Sequence, residues 1–180
     1  VGSEMCIRDR FQSAMQIRRS SRLNCFNSVA VGYPVGLIID GEKGNTVEQA
    51  QEGIINLQNI WFAGMTVTGS DANKVYDDVL YDAVNKTIID AGQESYSSSF
   101  FKAQKGNKVL ADMNELNFKD GRGIGVNYMP NANSPVLTAA SFDNALLDNG
   151  FDKVDYVGAF GINDNWLDGW TNFDPNNTDY

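Results

Sequence analysis

Cys25-Phe26-Asn27-Ser28-Val29-Ala30-Val31-Gly32 lies over Leu57-Gln58-Asn59-Ile60-Trp61-Phe62-Ala63-Gly64 at an offset of 32 residues, with Asn on Asn, Gly on Gly and apolar residues on apolar residues around them. Small or apolar residues alternate with others along the first copy, which is the two-residue period of a strand. Two copies at a fixed spacing read as two successive coils of a parallel β-solenoid, with the residues between them as connection and insertion. In such a stack Asn27 and Asn59 would form an amide ladder, each side chain satisfying the other's donor and acceptor. The plainer alternative is that each Asn only starts a turn.

Working outward from the repeat, Gly36-Leu37-Ile38-Ile39-Asp40-Gly41 is a short apolar run closed by glycines and suits a buried strand. A short helix is expected between the copies, with Thr46 as its cap, Gln49 as the capping-box partner and Gly53 as its end. Val75, Val79, Leu80, Ala83, Val84 and Ile88 recur at helical spacing, so Asp71 to Ala91 is expected as a helix capped by Ser70 and stopped by Gly92. Ser97 to Lys105, stopped by Gly106, reads as a second helix that docks Phe100 and Phe101. Leu110, Met113 and Leu116 fit either one helical face or a loop. Beyond them the chain is loop-rich, with short strands expected at 134–137 and 154–160 and an aromatic tail through Trp166, Trp170 and Phe173. The resulting division is 11–68 for the β coils, 69–130 for a helical excursion and 131–180 for a C-terminal cap, all in one domain. The fold class expected is mainly β with a helical insertion: the end of a right-handed parallel β-helix with a loop-rich cap.

Composition narrows the chemistry. The 180 residues carry 23 Asp+Glu against 14 Lys+Arg, a net charge of -9, so nucleic-acid phosphates and anionic membranes are repelled at long range. No run approaches the roughly 20 apolar residues of a membrane helix. With 0 His, Ser-His-Asp and Cys-His catalysis and His-ligated zinc are excluded from this chain.

Val1 to Arg10 resembles a translated sequencing-library adapter and is set aside; Phe11 is then expected to be an interior residue of a longer protein, and Cys25 stands alone as a small buried hydrophobe. Starting in mid-chain would leave an open sheet edge, so the chain by itself is expected to aggregate or pair edge to edge.

The run Ile17 to Arg22, Phe26-Asn27-Ser28, Gly32 to Asp40, Ser134 to Phe142, and Tyr156-Val157-Gly158-Ala159-Phe160-Gly161 with Trp166, Gly169-Trp170-Thr171 and Phe173-Asp174-Pro175 together resemble the last coils of a family of secreted bacterial right-handed β-helix proteins. The resemblance implies the C-terminal end of an extracellular or cell-surface protein that continues an upstream solenoid. It carries over no catalytic residue. Pectate-lyase-like enzymes share that general fold, which by itself does not imply lyase chemistry.

Three sets of side chains are candidates for a site. Trp166, Trp170 and Tyr156 can form an aromatic platform for sugar rings, or the two Trp can simply cap the end of the fold. Arg18 and Arg19, on opposite faces of a strand, can bind an anionic saccharide, pair internally with a carboxylate such as Asp40, or face solvent. Asp164, Asp168 and Asp174 offer oxygen ligands for Ca²⁺ but lack the EF-hand spacing, and ordinary solvated turns are the plainer reading of them. Gly121-Arg122-Gly123-Ile124-Gly125 reads as a loop without dinucleotide-site spacing, and the pairs Asp77/Asp78 and Asp152/Asp155 have no cleft to act in. The function expected is a non-catalytic surface or adhesion module that binds polysaccharide. The alternatives are the end of a polysaccharide lyase or hydrolase whose active site lies upstream, and a structural end cap.

Overall fold

The computed structural model describes residues 12–71, 79–82, 85, 87–120, 127–172 and 175–177. The chain forms two compact units, Val1–Met113 and Asn114–Tyr180.

The first unit is built from two three-stranded parallel sheets. In one, β1 (Ser13–Arg18), β3 (Val35–Asp40) and β5 (Val67–Gly69) lie side by side; in the other, β2 (Asn24–Val31), β4 (Asn56–Ala63) and β8 (Lys108–Leu110) do so. The repeat sets the register. Cys25 pairs with Leu57, Phe26 with Gln58 and Ser28 with Ile60. Asn59 Nδ2 donates to Asn27 Oδ1 at 2.6 Å. Both asparagines are also left-handed, with φ of 47° and 57°, a conformation that Asn tolerates better than most side chains. The amide pair and the turn are therefore two aspects of one bend.

Between the sheets, Ile17, Leu37 and Ile39 meet Leu57, Ile60 and Phe62. Phe62 stacks on Phe101 with ring centroids 4.1 Å apart. Phe101 comes from α2 (Tyr96–Ala103), which is capped by Ser95 as its side chain accepts from the Ser98 N–H. The helix is tied to the sheet by Ser97, whose Oγ accepts from the Ile39 N–H at 2.9 Å and donates to Asp71 Oδ1 at 2.7 Å.

The structure corrects the expected fold class. The described elements form small separate sheets in a mixed α/β arrangement, with no continuous right-handed β-helix. The physical reason lies in the insertions: α1 (Thr46–Gln51) interrupts the path from β3 to β4, a long excursion separates β5 from β8, and those last two strands shrink to 3 residues each. Thr46 is the first helical residue and not the cap, which is Asn45; the Thr46 Oγ1 instead accepts from the Ser20 N–H.

The helix expected over Asp71 to Ala91 is also corrected. Its described part is an antiparallel pair, β6 (Val79–Asp82) and β7 (Thr87–Ala91). The carboxylate of Asp82 accepts from the Asn85 N–H at 3.0 Å and from its Nδ2 at 2.6 Å, which makes a local turn where a helix would need none. Val75, Asp77, Asp78, Ala83 and Val84 lie outside the described residues, as do Val1 to Phe11 and the 121–125 glycine run.

The second unit contains β9 (Phe118–Asp120) paired with β10 (Asn127–Pro130), short 3₁₀ turns and loops. The strand expected at 134–137 is a 3₁₀ turn over Pro135–Thr138, capped by Ser134. The 154–160 stretch makes isolated backbone bonds in place of a ladder: Ala140 N–H to Asp155 O, and Val157 N–H to Val136 O. Pro135 explains the correction at 134–137, since it has no N–H to give a sheet and its fixed φ suits a first helical turn. Leu116, Val136, Leu147 and Val157 are buried there.

Candidate functional site

The candidate site is an aromatic stack in the second unit. The chain from Gly161 to Thr171 is a succession of tight turns, closed by Asp164 N–H to Gly161 O, Asp168 N–H to Asn165 O and Thr171 N–H to Leu167 O. Gly169, with φ of 82°, supplies a left-handed step just before Trp170. Turning of this kind puts Trp166 and Trp170, four residues apart, ring on ring at a centroid distance of 5.6 Å.

The stack continues inward. Trp166 lies over Phe160 at 5.6 Å with an interplanar angle of 10°, and Phe160 lies over Tyr128 at 6.2 Å. Offset stacking of this sort is favourable for rings whose faces are electron-rich and edges electron-poor. Both indole donors are spent within the unit: Trp166 Nε1 donates to Ala159 O at 2.9 Å and Trp170 Nε1 to Trp166 O at 2.5 Å. With those donors engaged, the tryptophans offer solvent carbon surface. Trp166 is 49% exposed and Trp170 66%.

Tyr156 is directed elsewhere. Its ring lies against Gly161, where a side chain would be only 3.0 Å from Cε1, and its hydroxyl donates to Asp164 Oδ2 at 3.5 Å. Burial raises the Tyr156 phenol above its ordinary value, and the Asp164 charge and hydrogen bond add to that rise. The structure thus brings together Trp166 and Trp170 from the predicted set. It adds Phe160 and Tyr128, which sequence reasoning passed over. Phe160 sits in the quoted closing motif and was legible as an aromatic; Tyr128 is 32 positions earlier and carries no local signal.

The arginines belong to the first unit. Arg18 is partnered by Asp40 across the β1–β3 register, Nε to Oδ2 at 3.4 Å, with the carboxylate nearly buried. Gln16 Nε2 and the Glu42 N–H also donate to Asp40. Arg19 is exposed in the following turn with φ of 55°. Of the three carboxylates considered for Ca²⁺, Asp164 faces Tyr156, Asp168 is exposed, and Asp174 lies outside the described residues. Among the described residues no three His, Cys, Asp or Glu side chains are grouped to hold a metal ion. Asp152 and Asp155 are both exposed.

Among the described residues no helix is long and apolar enough to cross a membrane. No protein-family model, curated protein or solved structure matches the chain.

Proposed function

We propose that this chain is a non-catalytic binding module, acting outside the cell or at its surface, that holds a polysaccharide on the Trp166–Trp170 end of the aromatic stack. The observation that carries the reading is the exposure of two stacked indoles whose N–H groups are already satisfied by backbone carbonyls. Such rings present flat apolar surface, which suits the C–H face of a pyranose, while Asn163, Asn165 and Asp168 around them are exposed and able to hydrogen-bond hydroxyl groups.

The test is retention of the chain on insoluble neutral glycans such as cellulose, xylan and chitin, compared with Trp170→Ala. Parent retention on at least one glycan, weakened about tenfold by the substitution, supports the reading; this corresponds to about 1.4 kcal/mol, near the upper range for an aromatic contact. Retention of neither protein on any glycan rejects it.

One observation favours the end-cap reading as a second. The same indole hydrogen bonds that leave carbon facing outward also brace the 159–171 turns. A Trp170→Ala chain that melts well below the parent, while binding glycan equally, would establish bracing as the role of the stack.

A further inference from the structure

Asn149-Gly150 is the one place in the sequence where asparagine precedes glycine. An asparagine's side-chain amide carbon and the backbone nitrogen of the next residue are one bond short of a five-membered ring, so attack by that nitrogen is intramolecular and limited by orientation. Glycine allows the most freedom there, because no Cβ narrows its backbone angles or shields its nitrogen. Alanine and serine, the next smallest residues, follow four further asparagines: Asn27, Asn131, Asn133 and Asn144.

The fold separates these five. Asn27 Oδ1 accepts from Asn59 Nδ2 at 2.6 Å, and Asn131 Nδ2 donates to Asn117 Oδ1 at 3.1 Å. Asn133 Oδ1 accepts from Asn117 Nδ2, and Asn144 Oδ1 accepts from the Leu146 N–H at 3.0 Å. An amide held in this way reaches the following nitrogen only by giving up a hydrogen bond. Asn149 is different: it is exposed, and neither its side chain nor the Gly150 N–H has a hydrogen-bond partner among the described residues. Gly150 is exposed as well, with φ of 84° and no atom beyond its chain neighbours within 4 Å of where a Cβ would stand. The pair lies in an exposed bend just after the 3₁₀ turn Ala145–Leu147, whose Leu147 is buried.

We propose that Asn149 is a modification site, deamidating spontaneously through a succinimide. Base in the solvent takes the Gly150 N–H proton as that nitrogen bonds to Asn149 Cγ. The Cγ–Nδ2 bond then breaks, and the side-chain amide takes up a proton from water and leaves as ammonia. A water molecule adds to either carbonyl of the ring and opens it, leaving aspartate or isoaspartate at this position. No electrons are exchanged, and water is the only co-reactant. Either product adds a negative charge between Asp148 and Asp152 to a chain already at -9.

Peptide mapping by mass spectrometry reads each site separately in the full chain, held for days at neutral pH either folded or in urea. The expected result is a gain of about one dalton at Asn149, as paired aspartate and isoaspartate peptides. Folding is expected to slow this site less than about tenfold, and to slow Asn27 and Asn133 by about tenfold or more, the factor one hydrogen bond supplies. Asn149→Gln leaves the backbone unchanged and would need a six-membered ring, so that chain is expected to stay unmodified at this position over the same time. No gain at Asn149 in the folded chain, or folding that slows it about tenfold or more, overturns the proposal. Aspartate without isoaspartate overturns the succinimide route. Asn27 and Asn133 reacting as fast folded as unfolded overturn the part given to the hydrogen bonds.

Discussion

The two units spend their aromatic residues in opposite ways. In the first, Phe62, Phe101 and Trp61 are at most 1% exposed: Phe62 on a strand and Phe101 on α2 stack in the core, and Trp61 lies beneath Lys108. In the second, Trp166 and Trp170 are stacked on a loop scaffold and left half or more exposed. Burying a ring stabilises by roughly 1.5–3 kcal/mol, so the first unit converts its rings into stability. The second keeps much of that surface unburied, and rings held on turns yet open to solvent are available to a ligand. Regular backbone supports the core, and irregular backbone carries the candidate site.

Substitutions sharpen this contrast. The largest effect is expected from Phe101→Ala: it removes the ring stacked on Phe62 inside a closed core, and should lower stability by about 3–5 kcal/mol in denaturant unfolding. A loss under about 1 kcal/mol would show that α2 does not complete the core.

Next comes the asparagine pair. Asn59→Ala loses the hydrogen bond with Asn27 and that from Trp61 Nε1, and puts alanine, which tolerates left-handed backbone less well than asparagine, at this position, for roughly 2–3 kcal/mol. Asn59→Gly relieves the backbone part and is expected to cost only about 1 kcal/mol. Equal losses for the two variants would assign the whole effect to the amide contacts.

In the second unit Trp170→Ala is expected to change stability by less than about 0.5 kcal/mol while weakening glycan retention. A large drop in stability with unchanged retention would erase the contrast between the units.

The smallest effect is on titration. The Tyr156 phenol is raised by burial first and by Asp164 second. Below the ordinary tyrosine value of about 10, the phenol is protonated in folded and unfolded chains alike and its contribution is fully present. As pH climbs from there through the raised folded value, the unfolded chain releases its proton more readily, so that contribution is lost. Asp164→Asn should move this phenol's ionisation, followed by ultraviolet absorbance, back toward lower pH; an identical difference titration would remove Asp164 as a cause.

Much of the first unit was legible because its signals are local or strictly repeated. The 32-residue offset that aligns Asn27 with Asn59 is also their hydrogen-bonded spacing. Phe100 and Phe101 docked as their helix predicted, at 8% and 0% exposure. The segment from Asp71 to Ala91 misled, because Val79, Leu80 and Ile88 satisfy a helical period while the Asp82–Asn85 turn permits a hairpin. Trp166 and Trp170 were singled out by residue type, and the structure stacks them. Tyr128 was not, since nothing in the chain near it announces Phe160.

By itself the sequence determined an acidic chain without histidine chemistry, a strand repeat with an asparagine at the same place in each copy, and a pair of tryptophans near the C-terminal end. These follow from composition, from a side-chain period and from residues that tolerate particular backbone angles, all of which are read one stretch at a time. Only the tertiary structure decided that the repeat stops at separate three-stranded sheets, that Arg18 is taken by Asp40, and that the tryptophans stack on Phe160 and Tyr128. Each of those outcomes is a competition between contacts distant in the chain, which no single stretch of sequence specifies.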